Sequence, residues 1–357
     1  MRRFVSFIGI SLGFVCGVFI ASFLGRTPTV NSPITATIPA DFSTKPVSAI
    51  PSDESAAPKV VSSAIPTSAS NPALSPSSVE KNTALRVAAS TLVDALVNII
   101  CYAPQGSPLH SISATGVLID AKGIILTNAH VGQYFLLADK GISCTIRSGV
   151  PATDRYNAKL IYISEKWLQA NPKVLSETSP NGTGEYDFAL LAVSSSATTS
   201  PLPLSFPYIP LATQPPLPDT PVAIASYGAQ FLDPSQIVSS LFPSMVFGSV
   251  KDVFTFAENT IDVLSFGGSA IAQEGSSGGG IVDAEGKLVG TITTSTISGA
   301  INTRSLSAIT ASYVRSEYAS ETKEPLDILL VQSPISSIAS FAPKMTALES
   351  IITTQLP

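Results

Sequence analysis

Gly275-Ser276-Ser277-Gly278-Gly279 runs on into Gly280-Ile281-Val282, Asp283-Ala284-Glu285-Gly286 and Leu288-Val289-Gly290-Thr291-Ile292. Ile281-Val282 is a short apolar run, Asp283 to Gly286 reads as a turn, and Leu288 to Ile292 reads as a strand. The whole is a serine set at the head of a β-hairpin. The glycines let the backbone turn sharply and approach another group without Cβ obstruction. Glycine and serine also dominate ordinary turns, so the stretch acquires meaning only beside two others.

The first is Gly123-Ile124-Ile125-Leu126-Thr127-Asn128-Ala129-His130, an apolar strand ending in small polar residues and a histidine. Upstream, Gly116-Val117-Leu118-Ile119 and the turn Asp120-Ala121-Lys122-Gly123 complete another hairpin, which places His130 at a strand end, where functional side chains gather. The second is Tyr186-Asp187-Phe188-Ala189-Leu190-Leu191-Ala192-Val193, an aspartate at the mouth of an apolar run fit for a buried strand. The chain has only 2 His. The other, His110, lies in the Pro/Gly/Ser-rich stretch from Pro104 to Ser113 and reads as a loop residue. A base that falls where a serine and an aspartate need one is therefore informative.

Acyl transfer needs a hydroxyl nucleophile, a base for its proton and a carboxylate that orients the base. It also needs N–H donors aimed at the developing oxyanion. Ser277 is the candidate nucleophile, His130 the base, Asp187 the orienting carboxylate, and the N–H groups of Gly275 and Ser277 the candidate oxyanion hole.

In the order His, Asp, Ser, the three segments resemble the trypsin/chymotrypsin-like serine proteases, and within them the bacterial Deg/HtrA type. Leu126 to Val131 is similar to the histidine motif of that type. Tyr186 to Leu191 is similar to its aspartate motif, and Gly275 to Gly279 to its Gly-x-Ser-Gly-Gly motif. The resemblance covers roughly Val97 to Ser316. It implies an endopeptidase acting on protein or peptide substrates, with His130 and Asp187 on a first barrel and Ser277 on a second. Two departures stand out. Ser276 occupies the place where trypsin-like zymogens carry an aspartate that pairs with a newly cut N-terminus, so activation by that ion pair is not expected. The interval from His130 to Asp187 is long, and Lys166 to Gly184 is expected to form a polar surface excursion beside the cleft.

The fold class read from the residues is all-β, from many short strands with Gly/Pro turns. The resemblance narrows it to two six-stranded β-barrels of the trypsin-like serine protease fold. Ser244 to Phe256 reads as one strand region and Ser305 to Tyr318 as a helix. A helix from Ser77 has a Ser77-x-x-Glu80 capping pattern and apolar Leu85, Ala88, Ala89, Leu92, Val93 and Leu96 at helical spacing.

Ahead of this, Phe4 to Leu24 carries no charge and follows Arg2 and Arg3. As a helix it spans about 30 Å, enough for the hydrocarbon core, and the arginines favour a cytoplasmic N-terminus. The competing reading is a cleaved signal peptide, which has a shorter apolar region and a small-x-small site; both readings export the remainder. Thr27 to Pro76 is rich in Pro, Ser, Thr and Ala and too poor in apolar residues to offset its ordering entropy. It is expected to be a disordered tether with a reach of about 40 Å. The expected organisation is therefore a transmembrane anchor over 1–26, a linker over 27–76, the protease domain over 77–325 and a partly helical tail over 326–357. That tail is too short for a PDZ domain. The reading is a single-pass membrane protein with an extracytoplasmic domain.

Of 3 Cys, Cys16 lies in the anchor. Cys101 and Cys144 fall in predicted strands of an exported domain, where disulfides persist. The alternatives are a Cys101–Cys144 bridge or two buried free thiols. Two distant His and scattered Cys form no metal-ligand pattern, and no cofactor is implied. A net charge of −5 offers no basic surface for nucleic acid. Two other functions compete with the endopeptidase: a catalytically silent trypsin-like scaffold that binds partners, and an esterase. The hairpin context of Ser277 differs from the strand-to-helix elbow of esterases.

By the resemblance, Ile271 to Glu274 lines the primary specificity pocket, with Ile271 where a basic-specific enzyme carries aspartate and Thr293 to Ser295 opposite. A peptide panel is expected to show strongest cleavage after small or medium apolar side chains. Preferred cleavage after Arg or Lys would refute the assignment of Ile271 to the pocket.

Overall fold

Near-continuous apolar strands need cover on both faces, and the chain supplies it by closing strands into a barrel and wrapping helices around it. A computed structural model describes residues 76–107, 109–176, 182–295 and 304–354. The expected anchor and linker lie outside the described residues. Among those described, no helix is long and apolar enough to cross a membrane.

The first sheet consists of β1 (Leu96–Tyr102), β2 (Ile112–Asp120), β3 (Ile124–Thr127), β4 (Ser143–Ser148), β5 (Thr153–Ile163) and β6 (Ala189–Ser196). They close into a barrel in the order β1-β2-β3-β6-β5-β4. All of β3 and the first five residues of β6 are buried. Helix Pro334–Phe341 packs on the outside of β5 and β6, so part of the expected tail is cover for the barrel. The excursion after β5 is not purely a surface feature. Its helix Glu165–Ala170 is capped by Ser164, whose Oγ accepts from Trp167 N at 3.2 Å, and buries Trp167 and Leu168. Leu175 is buried too, and residues 177–181 lie outside the description. Two large apolar side chains within a polar stretch carry enough transfer free energy to anchor it.

The second sheet consists of β7 (Pro221–Ser226), β8 (Ser244–Ser249), β9 (Asp252–Phe254), β10 (Val263–Gly268), β11 (Gly280–Val282), β12 (Leu288–Ser295) and β13 (Ser305–Thr310). Its order is β8-β7-β11-β12-β13-β10-β9. This corrects the expected second six-stranded barrel: the sheet is a seven-stranded half-barrel. The stretch from Ser244 breaks at Val250 and Lys251. Its first part pairs with β7 and its second with β10, so no ladder joins β8 to β9. The corner is fixed by Asp219 N donating to Val250 O at 2.8 Å and Lys251 N to Ser265 O at 2.8 Å.

The segment from Ser305 is also corrected. It is strand to Thr310 and helix only over Ala311–Thr322, with Thr310 Oγ1 accepting from Tyr313 N at 3.1 Å as the cap. Pairing with both β12 and β10 holds Ser305–Thr310 as strand. Helix Pro76–Ala95 buries Leu85, Ala88, Ala89 and Leu92 against β7, β11 and β2, and so spans both sheets.

Cys101 and Cys144 face each other across the β1–β4 ladder and are joined by a disulfide. It closes a loop with a sequence separation of 43. The Cys101→Ala/Cys144→Ala double variant is expected to lose about 3–4 kcal/mol of unfolding free energy through loop-closure entropy. Denaturant melts with an unchanged midpoint would count against this.

Candidate active site

Strand register brings His130 to Asp187. Thr127 pairs with Ala189 across β3 and β6, so the residues just past Thr127 meet those just before Ala189. The chain then turns through the helical residues Ala129–Gly132. His130 Nδ1 lies 2.9 Å from Asp187 Oδ2, and His130 N donates to Asp187 Oδ1 at 3.0 Å. A carboxylate only accepts, so Nδ1 carries the proton and Nε2 is left as the basic nitrogen. Asn128 Nδ2 donates to Asp187 O at 2.9 Å, and Gln133 Nε2 to His130 O at 2.9 Å.

Thr293, expected as a pocket wall, places its hydroxyl on the carboxylate. Its Oγ1 donates to Asp187 Oδ2 at 2.7 Å. Burial acts to raise the Asp187 pKa, but the His130 charge, its two hydrogen bonds and Thr293 outweigh it and hold the carboxyl below the ordinary value. Burial likewise acts to lower the His130 pKa, and the charge and hydrogen bond of Asp187 override it, so the imidazole titrates above 6.5.

The serine loop is tied to the first barrel at Thr115 of β2. Thr115 N donates to Ser277 O at 2.8 Å, and Thr115 Oγ1 donates to Gly275 O at 2.7 Å. Thr115 O in turn accepts from Thr127 Oγ1 at 2.7 Å, three residues before His130. This chain of contacts places Ser277 beside the histidine turn. No hydrogen bond joins the Ser277 and His130 side chains, and such contacts often tighten only with substrate bound.

The backbone around Ser277 has a definite accounting. Glu274 O accepts from Ala229 N at 2.8 Å, and Ser276 O from Gly279 N at 2.9 Å. Ser276 N donates to Gln273 O and Gly278 N to Ile292 O. Among the described residues, the N–H groups of Gly275 and Ser277 have no acceptor. Each belongs to a peptide whose carbonyl is pinned in the opposite direction. Gly275 has φ +90°, and a Cβ there would lie 2.7 Å from Tyr227 O; at Gly278 it would lie 1.9 Å from Thr115 O. These two positions require glycine.

Ser276 is buried and needs no terminal amine. Its Oγ donates to Ile271 O at 2.6 Å and accepts from Ser226 Oγ at 3.0 Å. Ile271 is fully buried. The side chain of Ser295 and residues 296–303 lie outside the description.

Residues 114–290 match the trypsin-like peptidase domain family. The chain belongs to the trypsin-like peptidase family. No curated protein matches it. Among solved structures, it is similar to the active form of the Rv3671c protease from M. tuberculosis, at 16% identity and TM-score 0.42, over 72% of this chain and 93% of that one. An inactive form of the Rv3671c protease matches at 17% identity and TM-score 0.40, over 69% and 95%.

Sequence reasoning missed Thr115, Thr127, Ala229 and the hydroxyl contact of Thr293 with Asp187. Each is a small residue in or beside a strand, with no motif to mark it. For this peptidase, NMR titration of His130 is expected to give a pKa above 6.5, and Asp187→Asn is expected to lower it. With only 2 His in the chain, assignment is direct. Since the base must be neutral, the acid limb of any hydrolytic activity should follow the same value. A His130 pKa unaffected by Asp187→Asn would contradict the pairing.

Proposed function

We propose that this peptidase is a serine endopeptidase that works through an acyl-enzyme. The observation carrying this reading is the His130–Asp187 pair set beside a serine loop whose Gly275 and Ser277 N–H groups point to no described acceptor. In this reading Ser277 Oγ attacks the scissile carbonyl while His130 Nε2 takes its proton. The tetrahedral oxyanion is held by the N–H groups of Gly275 and Ser277. His130 then hands the proton to the leaving amine. Water attacks the acyl-enzyme with His130 again as base, and Ser277 is regenerated. Asp187 keeps Nδ1 protonated and stabilises the imidazolium that forms, supported by Thr293. No step calls for a metal or cofactor.

Membrane tethering and an extracytoplasmic domain belong to the same proposal and rest on Arg2, Arg3 and the uncharged run from Phe4 to Leu24. Protein or peptide chains would reach the site from that side. A silent scaffold is the competing reading, and fluorophosphonate labelling separates the two.

The full-length chain expressed in cells is expected to react with a fluorophosphonate, and the labelled band to stay in membranes after alkaline carbonate extraction. Ser277→Ala and His130→Ala should abolish labelling, and Asp187→Asn should lower peptide turnover by about 10⁴. A folded wild-type chain that takes no label would favour the scaffold. A label found only in the soluble fraction would remove the anchor and keep the hydrolase.

A further inference from the structure

We propose that Thr115, a residue of the first barrel, is a positioning residue for the oxyanion site. Its hydroxyl holds the backbone around Gly275 in the orientation that leaves the Gly275 N–H free for substrate. The inference rests on the serine-hydrolase reading above.

Thr115 is fully buried on β2. Its hydroxyl has one proton to donate and lone pairs to accept, and both capacities are used. It donates to Gly275 O at 2.7 Å and accepts from Tyr227 N at 3.0 Å. The two partners act on the same feature. Gly275 O belongs to the peptide after the Gly275 Cα. Tyr227 lies two residues before Ala229, whose N–H holds Glu274 O at 2.8 Å. Glu274 O belongs to the peptide before that Cα. One hydroxyl thus fixes one plane flanking Gly275 directly, and fixes the segment that fixes the other.

This matters at a glycine. Gly275 sits at φ +90°, and without a side chain its flanking peptides rotate more easily than those of other residues. A rotated Glu274–Gly275 peptide would point its carbonyl, not its N–H, at the oxyanion position. The nearby lock from Ser276 Oγ to Ile271 O at 2.6 Å holds the loop one residue further on and does not constrain that peptide. Removing the Thr115 hydroxyl would leave Gly275 O and Tyr227 N without partners, and rotation about Gly275 is the accessible way to re-pair them.

The backbone of Thr115 has a separate duty. Its N–H holds Ser277 O at 2.8 Å and its carbonyl accepts from Thr127 Oγ1 at 2.7 Å. Neither contact involves the side chain. A side-chain variant should therefore leave Ser277 and His130 in place and disturb only the oxyanion donor. That predicts a loss in kcat with little change in KM, because an oxyanion donor acts chiefly in the transition state.

The test compares wild type, Thr115→Val, Thr115→Ser and Ser277→Ala as full-length chains in detergent. Each is assayed with a fluorogenic peptide carrying alanine at the cleaved position and with a fluorophosphonate, and each is followed by thermal melting. Thr115→Val should lower kcat by about 10- to 100-fold, short of the full loss of one donor, with KM within about twofold. Thr115→Ser keeps the hydroxyl and should restore kcat to within about threefold of wild type. The His130 titration should match wild type in both. If Thr115→Val does not fold, Thr115→Cys, with a weak donor in a similar volume, should show the same fall. Wild-type kcat in Thr115→Val would overturn the inference and leave the hydrolase reading intact. So would equal losses in the Val and Ser variants, because Ser keeps the hydroxyl and its loss would then come from altered packing and not from a lost hydrogen bond. A wild-type chain that neither turns over peptide nor takes label would overturn the hydrolase reading and this inference with it.

Discussion

One buried carboxylate collects donors from both sheets. Asp187 Oδ1 accepts the backbone N–H of His130, and Oδ2 meets His130 Nδ1 and Thr293 Oγ1. The histidine comes from the turn after β3 in the barrel, and the threonine from β12 in the half-barrel. A carboxylate taken out of water is tolerated only when its oxygens are satisfied. Satisfying this one requires the barrel and the half-barrel to sit in one relative placement. The lowered pKa of Asp187 and the raised pKa of His130 are two views of that constraint. The linkage runs in opposite directions for the two groups. The share of stability from Asp187 is present above its unfolded pKa and fades as pH falls through the lower folded value. The share from His130 is present below its unfolded pKa and fades as pH rises through the higher folded value.

A second seam runs beside the first. Thr127, Thr115, Gly275, Ser277 and Tyr227 are linked by short hydrogen bonds that cross from β2 and β3 to the serine loop. Every carbonyl from Glu274 to Ser277 has a donor, and the N–H groups between them divide cleanly. Those of Ser276 and Gly278 are used internally, and those of Gly275 and Ser277 are left over. In the proposed reaction, leftover N–H groups on pinned peptides amount to preorganisation: donors aimed before charge develops, with no reorganisation needed as it does. Ser276 contributes by an internal bond to Ile271 O where an aspartate would need a new N-terminus.

The failures of the sequence reading have a common cause. Ser305 to Tyr318 reads as one helix, but pairing of its first six residues with β10 and β12 imposes strand as far as Thr310. Ser244 to Phe256 reads as one strand region, but its two halves meet different partners, which breaks it at Val250 and Lys251. The excursion after Ser164 looks polar, yet Trp167, Leu168 and Leu175 find buried places that composition does not advertise. In each case a non-local partner decided the local outcome, and the local pattern held no record of that partner.

His130, Asp187, Ser277 and the glycines at 275 and 278 were legible from the chain because each stands in a short segment whose residue order marks it. His130 follows one apolar strand, Asp187 precedes another, and the backbone turns through positive φ at Gly275 and Gly278. The disulfide was legible only as one of two alternatives, since strand register alone sets Cys101 opposite Cys144. The contacts of Thr115, Thr127, Thr293 and Ala229 were not legible. Threonine and alanine are common in strands, and what distinguishes these four is the direction of a hydroxyl or an N–H toward a residue far along the chain. The chemical groups and the turns that expose them are properties of short segments, so the sequence by itself determined them. The half-barrel, the seam between the sheets and the aim of the Gly275 and Ser277 N–H groups were decided only by tertiary structure, because hydrogen-bond direction across a packed interface exists only once both sides are in place.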